Sequence, residues 1–130
     1  MNIYGIGTDI VNIDRIKKIF RQRGDTFKNK VYTNFEISKC NKRKNKNECF
    51  AKRFAAKEAF VKALGTGFSN NINFKDISIK NIKSGMPKIL VNKKVKVLIK
   101  KKFKLKKFKI FLSLSDERGH SIAFVILNKL

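Results

Sequence analysis

The stretch Phe50–Gly67, FAKRFAAKEAFVKALGTG, decides how the chain folds. It is dense in helix formers, carries one acid among several bases, and stops on glycine–threonine–glycine. At about 100° per residue, Phe50, Phe54, Val61 and Leu64 fall in one apolar stripe, with Lys57 close to it. Ala51, Ala55, Glu58 and Lys62 gather on a second flank, where two alanines leave the Glu58 carboxylate approachable. Gly65 supplies the left-handed residue that ends the helix, and Thr66 and Gly67 are expected to leave backbone amides open to a ligand. Spacing alone also allows a plainer account. Glu58–Lys62 is a favourable i,i+4 pair of the kind common on solvated faces, and Arg53 and Lys57 are like charges elsewhere on the helix.

Upstream of this helix, Lys42–Lys46 (KRKNK) reads as a basic loop, with Asn45 or Asn47 as N-cap. Thr33 and Glu36 have capping-box spacing and predict a helix start there. Asp14–Gly24 is a short amphipathic helix closed by glycine, with Ile13, Ile16, Ile19 and Phe20 buried and Arg15, Lys18, Arg21, Gln22 and Arg23 outward. Phe27–Tyr32 is a connecting turn or short helix. Ile3–Ile13 reads as a strand, in which Gly5 and Gly7 mark a bulge or a close backbone approach. Asp9 lies inside that apolar run, so it needs a hydrogen-bonding partner, a cation or solvent.

Downstream, Phe68–Phe74 is a loop and Asp76–Ile82 alternates as a strand. The turn Ser84-Gly85-Met86-Pro87 returns the chain along Lys88–Val91. Val95, Leu98, Ile99, Lys102 and Leu105 carry a helical period. Ile110–Leu114 and Ser121–Leu127 make an antiparallel pair across Asp116-Glu117-Arg118-Gly119. The expected class is α+β: a small single domain over residues 1–130, with an antiparallel sheet packed on a long central helix.

Composition narrows the function. Hydrophobic content of 42% with 12 phenylalanines excludes a disordered chain, and no apolar run approaches the roughly 20 residues of a membrane span. Met1 leads straight into a strand-like segment without a signal-peptide pattern. Cys40 and Cys49 lack metal-site spacing, and a reduced, cytosolic setting fits best. Lys and Arg number 32 against 9 Asp and Glu, a net charge of +23. That balance suits a polyanionic partner. It also suits A+T-rich codons drifting into tolerant positions, since Lys, Asn, Ile and Phe dominate together.

Against this basic background two carboxylates stand out, Asp9 in the first strand and Glu58 in the central helix. Converging, they would form a minimal magnesium site, completed by waters and substrate phosphates. Lys62, one turn from Glu58, would neutralise phosphate charge. Neither GxxxxGK[ST] nor GxGxxG occurs, and with His120 as the chain's one histidine, Ser–His or Cys–His catalysis is disfavoured. Metal-assisted phosphoryl-group chemistry is the class these residues support.

The motifs GIGTDIV (Gly5–Val11) and FAKRFAAKEAFVKALGTG resemble those of the holo-acyl-carrier-protein synthase type of 4′-phosphopantetheinyl transferase. Gly85-Met86-Pro87 and the closing LSLSDERGHSIAFVIL (Leu112–Leu127) support the likeness, which covers nearly the whole chain. The resemblance implies that family's fold and transfer of 4′-phosphopantetheine from coenzyme A to a serine of apo acyl carrier protein, in support of fatty acid biosynthesis in the cytoplasm. By the same resemblance Asp9 and Glu58 match magnesium ligands, and Asp9, Glu58 and Lys62 form the catalytic set. Arg53, Phe54, Lys62, Gly65, Thr66, Gly67 and Pro87 match coenzyme A-contacting positions, and the Lys42–Lys46 loop is a candidate for the 3′-phosphate.

The resemblance also implies a homotrimer with active sites between subunits. The Asp9 and Glu58 motifs would lie on different chains, or both would combine with a neighbour's loop. Arg15, Lys18, Arg21 and Arg23 would dock the acidic carrier protein, Arg15 first. The serine base stays open between Glu58 and a metal-bound water. The chain departs from the family pattern in two places. Asp116 stands where some members have a histidine, and Met86 where a lysine is usual. The competing reading is a basic nucleic-acid-binding module built on Lys100–Lys109 with Phe103 and Phe108 interleaved, for which Asp9 and Glu58 have no use.

Overall fold

The computed structural model describes residues 2–130, so the expected lead-in from Met1 lies outside the described residues. In chain order the elements are β1 (Asn2–Asn12), α1 (Ile13–Val31), α2 (Asn34–Asn41), α3 (Lys46–Leu64), a 3-10 turn (Phe74–Asp76), β2 (Ile77–Asn81), β3 (Pro87–Val91), α4 (Lys93–Lys102), β4 (Phe108–Glu117) and β5 (His120–Lys129). The antiparallel sheet β1-β5-β4 packs one face on α3, and β2-β3 forms a separate hairpin. This is the expected α+β arrangement.

The central helix is more enclosed than an amphipathic stripe implies. Ala51 and Ala55, assigned to the approachable flank, are fully buried, as are Phe50, Ala56, Ala59, Phe60 and Val61. On one flank the helix is covered by β1, which lies so close that ordinary side chains do not fit between, and elsewhere by β5 and by the aromatic rings of Phe20 and Tyr32 over Phe50. A Cβ built on Gly7 would stand 1.8 Å from the Ala59 carbonyl oxygen, and one on Gly5 1.9 Å from that of Ala63. Gly5 also follows a register shift in the β1–β5 ladder, so both sequence readings of these glycines hold. Gly65, at φ 82°, ends α3 as expected.

Lys57, left unexplained by spacing, is a buried cation held by a carboxylate and a backbone carbonyl. Its Nζ donates to Glu36 Oε1 at 2.6 Å and to the Val31 carbonyl at 2.7 Å. Glu36 also accepts from the Thr33 amide at 2.9 Å, closing the expected capping box, and from the Ile79 amide at 2.9 Å. One ion pair thus ties the end of α1, the start of α2, α3 and β2 together. Burial pushes the Lys57 ammonium below its ordinary range, opposed by Glu36. Lys57→Met strips Glu36 of its counter-charge and is expected to cost about 3 kcal/mol, or roughly 10 °C in Tm by thermal unfolding.

Three other expectations are refined. The helix predicted over Asp14–Gly24 continues to Val31 across a break at Gly24, where φ is 53°. The last hairpin turns on Arg118 and Gly119 alone, both at positive φ, so Asp116 and Glu117 belong to β4. Cys40 and Cys49, assigned from sequence to a reducing setting, are joined in a disulfide, because the α2–α3 loop folds their Cα atoms to 5.5 Å apart. Among the described residues, no helix is long and apolar enough to cross a membrane.

The sheet face turned away from α3 is apolar and open. Ile6 and Ile10 of β1, Ile122 and Phe124 of β5, and Phe111 of β4 project from it, between 38% and 62% exposed. The clustering exceeds what scattered surface residues produce.

Candidate active site

Alternation along β1 turns Gly7, Asp9 and Val11 toward α3, where Gly7 and Val11 are buried. Because the glycines let the strand sit against the helix, Asp9 reaches the α3 flank carrying Glu58 and Lys62. Lys62 Nζ donates to Asp9 Oδ1 at 3.1 Å and to the Thr8 carbonyl at 2.9 Å. The plain i,i+4 account therefore fails: the ion pair of Lys62 is with the strand, not with Glu58. Burial, and then the Asp9 charge, hold the Glu58 carboxyl above its ordinary range, while Lys62 and Arg15 draw it down. The carboxylates of one chain are thus electrostatic neighbours, so the option that divided them between chains is corrected.

A second feature lies on another flank of α3. Arg43, Lys44, Lys52, Arg53 and Pro87 line a cavity of about 440 Å³. Arg53 is 5% exposed, yet its Nη1 donates to the Cys49 carbonyl at 3.3 Å and Sγ at 3.0 Å, not to a carboxylate. Its Nε has no partner, and burial lowers its pKa. A buried guanidinium without a bonded anion, beside Arg43, Lys44 and Lys52, gives this wall an excess of positive charge that Glu48, which also lines it, offsets only in part. Lys52 is fixed at the same wall by Asp116, whose Oδ2 lies 2.6 Å away and whose Oδ1 accepts from Ser121 Oγ at 2.7 Å. Sequence reasoning missed this role for Lys52 and Asp116, since the pair is joined only through tertiary folding.

The expected coenzyme positions are divided between these features. Arg53 and Pro87 line the cavity; Lys62 and Gly65-Thr66-Gly67 do not. Glu58 is about 140° round the helix from Arg53. Phe54 stacks on Phe74 at 5.4 Å and contacts Phe27, in a half-buried aromatic row. The expectation of open amides after Gly65 is corrected. The Gly65 amide donates to Lys62, and those of Thr66 and Gly67 to Val61, because the last carbonyls of α3 need these donors.

Arg15, Lys18, Arg21 and Arg23 are all exposed along α1 ahead of the Gly24 break. Arg15 adjoins the carboxylates, since its charge acts on Glu58. The Lys100–Lys109 stripe differs from its nucleic-acid reading: Phe103 and Phe108 are half-buried and packed against the core, leaving no interleaved free rings.

The model of the 4′-phosphopantetheinyl transferase superfamily matches residues 5–125. The chain is 49% identical over 129 residues to a holo-[acyl-carrier-protein] synthase of Pelagibacter ubique, with 99% of each chain covered. A crystal structure of holo-[acyl-carrier-protein] synthase from Neisseria meningitidis superposes with a TM-score of 0.89 at 35% identity, over 98% of this chain and 99% of that one. The Helicobacter pylori holo-[acyl-carrier-protein] synthase, solved in complex with coenzyme A, gives a TM-score of 0.78 at 30% identity, over 95% and 99%.

Proposed function

The chain belongs to the 4′-phosphopantetheinyl transferase superfamily, and from that premise we propose how its two features divide the work of a holo-acyl-carrier-protein synthase. The reaction moves 4′-phosphopantetheine from coenzyme A to a serine of apo acyl carrier protein. The serine oxygen attacks the phosphorus bearing pantetheine, the pyrophosphate P–O bond breaks, and adenosine 3′,5′-bisphosphate leaves as the serine proton is given up. The observation that carries this reading is the convergence of Asp9 and Glu58 beside Lys62.

These residues fit a magnesium ion. Asp9 and Glu58 supply two oxygen donors, and no cluster of three metal-ligating side chains occurs among the described residues, so further positions fall to water and substrate phosphate. Bound there, the ion would offset charge on the pyrophosphate. Lys62 would exchange its bond to Asp9 for one to a phosphate oxygen. Arg53 and its neighbours would hold the phosphates of the nucleotide end, most readily the 3′-phosphate, with Arg43 and Lys44 of the basic loop. Phe54, Gly65, Thr66 and Gly67 would give surface contact to coenzyme A, the last three without free amides.

One chain presents the carboxylates and the cavity on different flanks, so a single coenzyme joins them most simply across two copies. The open apolar sheet face is where such copies would meet, and a homotrimer is the proposed assembly. Ile10→Asp on that face is expected to yield monomer by analytical ultracentrifugation and to reduce transfer roughly a hundredfold. A monomeric wild-type protein with full activity would overturn the shared site. Arg15, Lys18, Arg21 and Arg23 would receive the acidic carrier protein, and Arg15, beside Glu58, would bring its serine to the site. A cytoplasmic role in lipid metabolism follows from those substrates.

The deciding experiment is mass spectrometry of apo acyl carrier protein incubated with coenzyme A and the protein, with and without magnesium. A phosphopantetheine mass gain that needs magnesium is expected. No gain, where a known synthase modifies the same carrier protein, would sink the reading.

A further inference from the structure

The disulfide on the wall of the basic cavity takes no part in phosphopantetheine transfer. Cys40 lies near the end of α2 and Cys49 in the first turn of α3, and their bridge closes a ring over residues 41–48. Four members of that ring, Arg43, Lys44, Asn45 and Glu48, line the cavity, and so does Cys49. Cys40 is fully buried and does not. Of the two cysteines, Cys49, 6% exposed and on the cavity wall, is therefore the one an incoming thiolate would attack. In a reducing compartment a disulfide at such a place is characteristically transient and redox-sensing rather than structural.

Resting on the nucleotide-binding reading of that cavity, we propose that Cys40–Cys49 is a thiol–disulfide switch for ligands bearing phosphate. The oxidised form binds them tightly and the reduced form weakly. Two effects act with the same sign. The bridge holds the Arg43-Lys44-Asn45 segment against the cavity, and reduction returns that segment's freedom, so ligand binding must then order it. The Arg53 guanidinium, 3.0 Å from Cys49 Sγ, faces only a weak sulfur acceptor in the disulfide. A Cys49 thiolate at the start of α3 would instead pair with that guanidinium and take its charge from the ligand.

The chemistry balances with a dithiol as reductant. One dithiol thiolate attacks Cys49 Sγ, the Cys40–Cys49 bond breaks, and Cys40 leaves with the electron pair and takes a proton. The second dithiol sulfur attacks the mixed disulfide, releasing Cys49 as thiolate beside Arg53 and the reductant as a cyclic disulfide. Of the dithiol's two protons, one ends on Cys40 and one in solvent.

The test uses the full chain and adenosine 3′,5′-bisphosphate, titrated calorimetrically before and after dithiothreitol, with thiols counted in each state. No titratable thiol before treatment and two after are expected, with Kd rising roughly three- to tenfold on reduction. Cys40→Ala, which removes the bridge without altering a cavity-lining residue, should bind like the reduced protein in both conditions. An equal Kd in both states, two thiols in the untreated protein, or a response of Cys40→Ala to dithiothreitol would each overturn the switch. Transfer to the carrier protein alongside an unchanged Kd would reject the switch and leave the enzymatic reading standing. Absence of both binding and transfer would reject both.

Discussion

Glu58→Gln is expected to lower phosphopantetheine transfer by roughly a thousandfold or more, the scale of losing several kcal/mol of stabilisation at a charged transition state. Asp9→Asn should do the same by mass shift on the carrier protein, because each removes half of a two-carboxylate site. The expected stability change has the opposite sign for Glu58. Its carboxyl is held above the ordinary glutamate range by burial and by Asp9, so ionising it costs the folded state free energy. That cost is fully present above the raised folded-state pKa and vanishes below the ordinary glutamate value. Metal-free Glu58→Gln should therefore melt slightly above the wild type at neutral pH, and the difference should close as the pH falls below the ordinary carboxylate range. Retained transfer would reject Glu58 as a functional group. A large drop in Tm would show that its role is structural.

Gly7→Ala is expected to damage both folding and transfer. The added methyl would lie 1.8 Å from the Ala59 carbonyl oxygen and 2.8 Å from the Ala59 carbonyl carbon and the Ala63 nitrogen. All three are backbone atoms of a helix buried on most sides, so no rotamer change relieves the clash and β1 itself must move away. Overpacking of this kind is expected to cost about 3–5 kcal/mol, or roughly 10–20 °C in Tm. Asp9, two residues along, would be carried away from Glu58 with the strand. Transfer should therefore stay depressed at temperatures where the variant is still folded. A variant with wild-type Tm and activity would show that the strand does not need this contact.

The small residues on both sides of that contact were legible in the sequence as residues but not as a contact. Gly5 and Gly7 announced a close approach, yet nothing nearby named Ala59 and Ala63 as the surface approached. The capping box at Thr33–Glu36, the stop at Gly65 and the hairpins were readable because each depends on neighbours a few residues away. Lys57 was opaque for the opposite reason: Glu36 lies 21 positions upstream and reaches it by tertiary folding alone. Asp9 and Glu58 were legible as candidates because they stand out against a basic background, and their match to one metal site came from the two sequence motifs together, since periodicity does not join strand to helix. The enclosure of α3 was misread because alanine is compatible with an exposed helix flank and also fits where another backbone leaves no room.

The Lys57–Glu36 ion pair and the Gly7–α3 approach differ in how a damaging mutation in them can be repaired. The deficit of Lys57→Met arises from an unbalanced charge, so a second change, Glu36→Gln, should restore part of the loss. Gly7 has no such partner. Its neighbours in the clash are main-chain atoms of Ala59 and Ala63, which every residue type shares, and the facing side chains are already nearly as small as side chains can be. A genetic screen for second-site suppressors should recover revertants of Lys57→Met elsewhere in the chain, and for Gly7→Ala true revertants at codon 7.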